Sequence, residues 1–151
     1  MKVSAPTKLT KGITLTVDQS LWQEQLNSLA YTTFTSYLKQ HQVHLRLIEV
    51  QDNCLVFSTE NSDASIGLIV TQSDNYERFM VPKEVAINFA PDFYVSMFFS
   101  SYNHTAVIQG FCTKNRLWQV GNPEEYQGKF GIVVNSSLIN QNISELLWQI
   151  L

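Results

Sequence analysis

The chain is most constrained by the apolar stretch that spans residues 92–113. This stretch is rich in aromatic and β-branched residues, which favour strands. Residues 101–104 interrupt it, and they include Asn103, a residue type that is common in turns. The pattern predicts a β-hairpin at the centre of an antiparallel sheet, with residues 101–104 as its loop.

The alternation of side chains sorts this hairpin into two faces if Ser100 lies opposite Thr105. A glycine then lies opposite Val95, and Gly110 indicates a close approach or a β-bulge. The first face is wholly apolar, and we expect it to meet the core: Phe99 with Ala106, Met97 with Ile108, Val95 with Gly110, and Phe93 with Cys112. The second face is mixed: Ser100 with Thr105, Phe98 with Val107, Ser96 with Gln109, and Tyr94 with Phe111.

Composition narrows the class of protein. Hydrophobic residues make up 44% of the 151 residues, which is typical of one folded domain. Charged residues make up only 15%, below the usual share of about 25%, and a surface so poor in charge favours self-association or partner binding. The net charge of -3 argues against a protein that neutralises phosphates, so we expect no nucleic-acid partner.

The N-terminal part predicts a tail, a strand and a helix. Residues 1–12 carry lysines and no acid, which indicates a flexible basic tail. Residues 13–17 alternate as a short strand does. A helix is expected over residues 21–40, with Asp18 or Ser20 as its cap, and Ser20 with Gln23 fits a capping box. Its apolar residues fall three and four apart, which predicts a core-facing stripe: Trp22, Leu26, Leu29, Ala30, Phe34, Tyr37 and Leu38.

The remainder predicts strands and a closing helix. Together they indicate one α+β domain over residues 13–151: an N-terminal amphipathic helix on a mostly antiparallel, curled sheet of about six or seven strands. Lys114 and Asn115 are expected to form a tight turn, and Asn142 to cap a short C-terminal helix. Strands are expected at 43–47, 54–58, 66–70, 76–81, 116–120 and, as the last edge strand, 130–134; residues 85–89 fit a short strand or a helical turn, and 121–123 open a loop.

No catalytic, cofactor or metal motif has the spacing that its chemistry requires. His41 and His44 are three residues apart, but a zinc site needs further ligands, and His44 is expected on a strand. His104 and Cys112 suggest a base and a thiol nucleophile. At ~3.3 Å per residue they lie more than about 20 Å apart along the hairpin. We therefore expect no catalytic residues, no cofactor and no metal.

The two cysteines, Cys54 and Cys112, each fall inside an apolar strand, which indicates buried thiols in a reducing compartment. No stretch resembles a signal peptide or is long enough to span a membrane. These features predict a cytoplasmic protein without membrane contact.

Several short motifs resemble a cyanobacterial family of uncharacterised proteins, domain of unknown function eighteen twenty-two. They are Leu-Ala-Tyr-Thr-Thr-Phe-Thr-Ser-Tyr-Leu at 29–38, Val-Pro-Lys-Glu-Val at 81–85, Tyr-Val at 94–95, Ala-Val-Ile-Gln-Gly-Phe at 106–111, and the Leu-rich ending at 138–151. The resemblance implies a cyanobacterial cytoplasmic source, and it brings no known activity or catalytic residues.

These observations favour a non-enzymatic protein-interaction or self-association module. Its contact surface is expected at the mixed hairpin face, with Tyr94, Phe98 and Phe111 as anchors, or at an exposed edge strand, since aromatic anchors dominate interfaces. Whether a helix of the same chain covers that face stays open. The alternative is a small-molecule-binding domain, or an enzyme whose site is assembled from distant residues.

Overall fold

A computed structural model describes residues 12–22, 24–72, 76–100, 104–126 and 128–151. Its helices and strands form an α+β architecture, which confirms the predicted fold class. The predicted tail lies outside the described residues except for Gly12. The strands are β1 Ile13–Thr16, β2 Leu45–Gln51, β3 Cys54–Thr59, β4 Ser65–Gln72, β5 Arg78–Pro82, β6 Phe93–Ser100, β7 Thr105–Thr113, β8 Asn122–Tyr126 and β9 Lys129–Asn135; the α-helices are α1 Leu26–Gln40, α2 Lys114–Val120 and α3 Ile143–Ile150.

The main sheet has six strands in the order β1-β7-β6-β4-β3-β2. Its neighbouring strands are antiparallel except for β4 and β6, which are parallel. The predicted hairpin, β6 with β7, therefore lies inside the sheet between β1 and β4. The outer strands of this sheet are β1 and β2.

Helices α1 and α3 cover one face of the main sheet. Phe34 and Leu38 of α1 and Ile150 of α3 are fully buried. They pack in one core with sheet residues such as Phe57 and Met97. Their spacing of three and four residues turns one side of each helix toward the sheet, as the sequence predicts.

A second sheet covers the opposite face. It contains β5, β9 and β8 in that order, and its side chains Phe79 and Val134 are fully buried against the main sheet. The segment between the parallel strands β4 and β6 contributes β5 and one turn of π-helix, Val85–Phe89. The domain thus has three layers: helices, the six-stranded sheet and the three-stranded sheet.

Helix α2 and the smaller sheet differ from the sequence predictions in three places. Residues 114–120 form helix α2 instead of a turn and a strand, because Thr113 caps the amide of Arg116 and Leu117 alone is fully buried among them. Residues 122–126 form β8, although residues 121–123 were expected to open a loop. β9 is the central strand of the smaller sheet and not an edge.

The long helix begins later than predicted. Residues 19–21 form a turn of 3₁₀-helix, and the carboxylate of Asp18, one of the two predicted caps, accepts a hydrogen bond from the amide of Ser20. α1 begins at Leu26, and its N-cap residue makes no side-chain hydrogen bond. Gln23, the partner of Ser20 in the predicted capping box, lies outside the described residues. Within the described residues, no helix has the length and apolar character needed to cross a bilayer.

Candidate interaction site

The three predicted anchor residues are buried within the chain. Tyr94, Phe98 and Phe111 expose 0%, 6% and 2% of their surface. Tyr94 packs in the core beside the smaller sheet, whereas Phe111 packs in the core beside the helices. These residues therefore do not share one exposed face. Partner binding through them stays a prediction, and all three side chains are buried in the folded chain.

A β-bulge explains the position of Phe111. The predicted pairs hold from Ser100 with Thr105 to Met97 with Ile108, but the next pair joins Ser96 to Gly110 and leaves Gln109 between them. The register beyond the bulge was therefore wrong by one residue. The last pairs are Val95 with Phe111, Tyr94 with Cys112 and Phe93 with Thr113.

Gly110 makes the close approach to another part of the backbone that was one of its two predicted roles. A Cβ atom at Gly110 would lie 2.4 Å from the carbonyl oxygen of Asn140. The neighbouring residue, Phe111, exchanges two backbone hydrogen bonds with Asn140, of 2.8 and 2.9 Å. The glycine thus allows the segment before α3 to lie directly on β7.

Both faces of the central hairpin are covered, and the open question of which element covers the mixed face has a clear answer. The cover is the smaller sheet and Tyr76 before it, together with Leu117 of helix α2 and the π-helical turn Val85–Phe89. The ring of Tyr76 stacks on Phe98 at 5.1 Å between centroids. The side chain of Gln109 donates to the carbonyl oxygen of Tyr76 and accepts from the hydroxyl of Ser96.

The ionisable groups with the largest pKa shifts lie in the core beside the smaller sheet. Burial raises the pKa of the Cys54 thiol to about 12, and the nearby carboxylate of Asp52 adds to the rise. Burial also raises the pKa of Cys112 to about 12, against a smaller lowering by Arg116. Burial, and then the two thiols, raise the pKa of Tyr94. Neutral, enclosed thiols are poor nucleophiles, so these groups suit packing better than catalysis.

No cluster of three or more His, Cys, Asp or Glu residues in the described parts of the chain has the geometry to hold a metal ion. Asp52 and Asp92 instead form exposed ion pairs with Lys129 and Lys114. His41 packs edge-on against the ring of Tyr37.

A shallow cavity of about 160 Å³ lies between the end of β1 and helix α1. Its lining combines hydroxyl groups and one carboxylate with the apolar side chains of Leu15, Val17 and Leu21, a mixture that small-molecule sites share. The residues that provide the polar groups include Asp18, Thr32, Thr33, Ser36 and Tyr37.

A run of exposed apolar side chains lies along β2, an outermost strand of the main sheet. Leu47, Ile48 and Val50 expose 38%, 49% and 45% of their surface. Tyr31 of α1 is 40% exposed and stacks on Phe57, which lies opposite Leu47 in the ladder. We call these four exposed residues, Tyr31, Leu47, Ile48 and Val50, the β2 patch. Alternation located this strand in the sequence, but nothing in the sequence shows that it lies at the edge.

The fold and this open edge define an α+β domain with an exposed strand at one side of its main sheet. The chain belongs to the family described as "Protein of unknown function (DUF1822)", whose model matches residues 14–130. This match confirms the resemblance that the sequence motifs indicate. No curated protein and no solved structure matches the chain.

Proposed function

We propose that this protein is a non-enzymatic interaction module that binds another polypeptide as an added strand along β2. The observation that carries the proposal is the run of exposed apolar side chains, Leu47, Ile48 and Val50, on the outermost strand of the main sheet. Strand addition takes its affinity from main-chain hydrogen bonds and its specificity from side chains. Strand β2 offers main-chain groups at its edge, and the β2 patch offers exposed side chains.

The backbone of β2 supports the proposal. In an antiparallel ladder, residues that bond to the partner strand alternate with residues whose N–H and C=O groups point away. The carbonyl oxygen of His44 accepts from the amide of Glu60, the residue that follows β3. His44 therefore points toward β3, and by alternation Leu45 and Leu47 point outward. An added strand finds donors and acceptors at these two residues.

The other open edges suit an added strand less well. β1 has only four residues. β8 contains Pro123, which lacks an N–H group, followed by Glu124 and Glu125. β5 ends in Pro82. Proline and clustered charge are features that discourage strand addition at sheet edges.

The test compares Ile48→Lys with Leu138→Lys. Ile48 and Leu138 are 49% and 45% exposed. Leu138 lies just before Asn140, which pairs with β7, and β7 lies toward the other end of the strand order from β2. We expect the wild-type chain and Leu138→Lys to associate equally in light scattering and in capture from native lysate. We expect Ile48→Lys to lose both. Equal association by all three proteins would overturn the proposal.

The cavity beside α1 favours a second candidate function, the binding of a small polar molecule. Its hydroxyl-rich lining includes Thr33, Ser36 and Tyr37. A thermal-shift screen with small polyols and amines tests this candidate, since a ligand that binds only the folded chain raises the midpoint with concentration. A shift that Ser36→Leu removes supports it, and no shift at millimolar ligand overturns it.

We further infer a cytoplasmic location from the cysteines. Cys54 and Cys112 are both buried and unpaired. Unpaired cysteines are typical of reducing compartments. Fractionation of cells that express the protein from its own promoter tests this inference, and recovery in an exported fraction contradicts it.

A further inference from the structure

We propose that the strand added to β2 is β2 of a second copy of the chain, which runs antiparallel in one particular register. This inference rests on the proposed function. A two-fold axis would pass between Leu47 and Ile48 and join two six-stranded sheets into one continuous sheet. In this register Leu45 lies opposite Val50 of the other copy, Arg46 opposite Glu49, and Leu47 opposite Ile48.

The bulge in β2 makes this register possible. Residues 46 and 49 are an odd number apart, so a regular strand would place their side chains on opposite faces. The ladder shifts between Leu47 and Glu49, and Arg46 and Glu49 lie opposite Ser58 and Val56. Because Ser58 and Val56 are two residues apart, Arg46 and Glu49 share one face.

The same shift sorts the apolar residues onto the other face. Leu47 and Val50 lie opposite Phe57 and Leu55, which belong to the core beside the helices. Leu45 also packs against that core. In the proposed register, Leu45 and Val50 of the two copies meet twice on the helix side. The helix-side core then continues from one copy to the other.

Charge selects this register from its neighbours. Arg46 is exposed and Glu49 is half-buried, and neither forms an ion pair with the described residues of its own chain. The proposed register joins the two charges twice, once on each side of the axis. A slip of one residue places Arg46 opposite Ile48 or Val50 instead.

The backbone agrees with the register at both ends. Gln51 and Cys54 flank the two-residue loop of the β2–β3 hairpin, which makes them a hydrogen-bonded pair. Val50 therefore points its N–H and C=O groups outward, as Leu45 does. Leu45 and Val50 can form hydrogen-bonded pairs with each other across the axis, and the bulge lies at the centre.

The bulge and the two charges also explain why other strands are rejected. Charges and bulges on an edge oppose indiscriminate pairing. A strand without complementary charges leaves Arg46 and Glu49 unpaired at the contact. Only a strand of matched sign and shape recovers this loss, and specificity of this kind is a difference between partners.

The test is a charge-reversal experiment read by sedimentation. We expect the wild-type chain to dimerise. We expect Arg46→Glu and Glu49→Arg each to raise the dimer Kd at least tenfold, because each variant places like charges opposite each other twice. An equimolar mixture of the two variants should dimerise again, because the new carboxylate of one meets the new guanidinium of the other. Circular dichroism checks that each variant folds.

The outcomes separate this inference from the proposed function. Self-association that Ile48→Lys abolishes and that neither charge variant weakens overturns the register and leaves strand addition at β2 intact. A wild-type chain that stays monomeric at millimolar concentration overturns the second copy as the occupant, while a partner captured only with Ile48 intact would still support the proposed function. Self-association and lysate capture that Ile48→Lys both leave unchanged overturn the proposed function and this inference together.

Discussion

The hydroxyl of Tyr94 lies between the two sheets and has no hydrogen-bond partner in the described chain. A buried hydroxyl without a partner costs free energy that its removal recovers. We predict that Tyr94→Phe raises the free energy of unfolding by about 1 kcal/mol, measured by urea denaturation. Ser96→Ala is the contrast, because the Ser96 hydroxyl bonds to Gln109 at 2.7 Å and its loss should destabilise the fold. A destabilised Tyr94→Phe protein would contradict this account.

The buried thiols give stability a dependence on alkaline pH. The pKa of Cys54 and of Cys112 is about 12 in the folded chain, against an ordinary value of about 8.5. Above pH 8.5 the unfolded chain loses thiol protons that the folded chain retains, so the free energy of unfolding falls as pH rises toward 12. We predict that the free energy of unfolding falls less steeply with pH in the double variant Cys54→Ala/Cys112→Ala. Denaturation curves recorded at pH values between 8 and 11 measure this free energy. Identical slopes would show that the thiols titrate normally.

At the scale of the elements, the central hairpin shows what the sequence pattern can and cannot predict. The alternation predicts both strands and the pairs from Ser100 to Met97 correctly. It fails beyond Gln109, because both faces of these strands are buried and apolar residues occur on each. When neither face is polar, an inserted residue leaves no trace in the polarity pattern. The two-sided cover also explains why Phe111 was placed on the wrong face.

A deletion tests the bulge. Without Gln109, Ile108 and Gly110 become consecutive, and every remaining pair with β6 keeps its face and partner. We predict that the Gln109 deletion folds, with a loss of about 1–3 kcal/mol for the hydrogen bonds to Ser96 and Tyr76. Deletion of Ile108 is the matched control: it closes the bulge in the same way but places Gln109 opposite Met97 in the helix-side core, so we predict a larger loss of stability than for the Gln109 deletion. Equal behaviour of the two deletions would contradict the register.

The candidate site was less predictable than the elements that carry it. The alternation of Val43, Leu45 and Leu47 indicates a strand, but whether its apolar residues are buried depends on strand order. That order depends on the pairing of β4 with β6, which joins segments far apart in sequence. Edge position is a property of the whole sheet, so no local pattern signals it.

The whole molecule is organised around one sheet that serves two cores. The helix-side core contains Phe34, and the core beside the smaller sheet contains Phe79. We predict that Phe34→Ala and Phe79→Ala each lower the free energy of unfolding by about 3–5 kcal/mol. Because both cores share the main sheet, each variant should unfold in one transition, with the same midpoint by near- and far-ultraviolet circular dichroism. Two separate transitions in either variant would show that the smaller sheet unfolds alone, against the prediction of one domain over residues 13–151.

The parallel pairing of β4 with β6 also sets an order on how the chain reaches this structure. β2, β3 and β4 follow one another as a meander, so their contacts form between near neighbours in sequence. β6 must meet β4 across the segment that carries β5, and β5 pairs with β9, which comes much later in the chain. Such distant pairings slow folding to milliseconds or seconds. In pulsed hydrogen exchange during refolding, the amides of β3 should therefore gain protection before those of β5. The open edge at β2 is thus exposed to other chains while the rest of the sheet assembles.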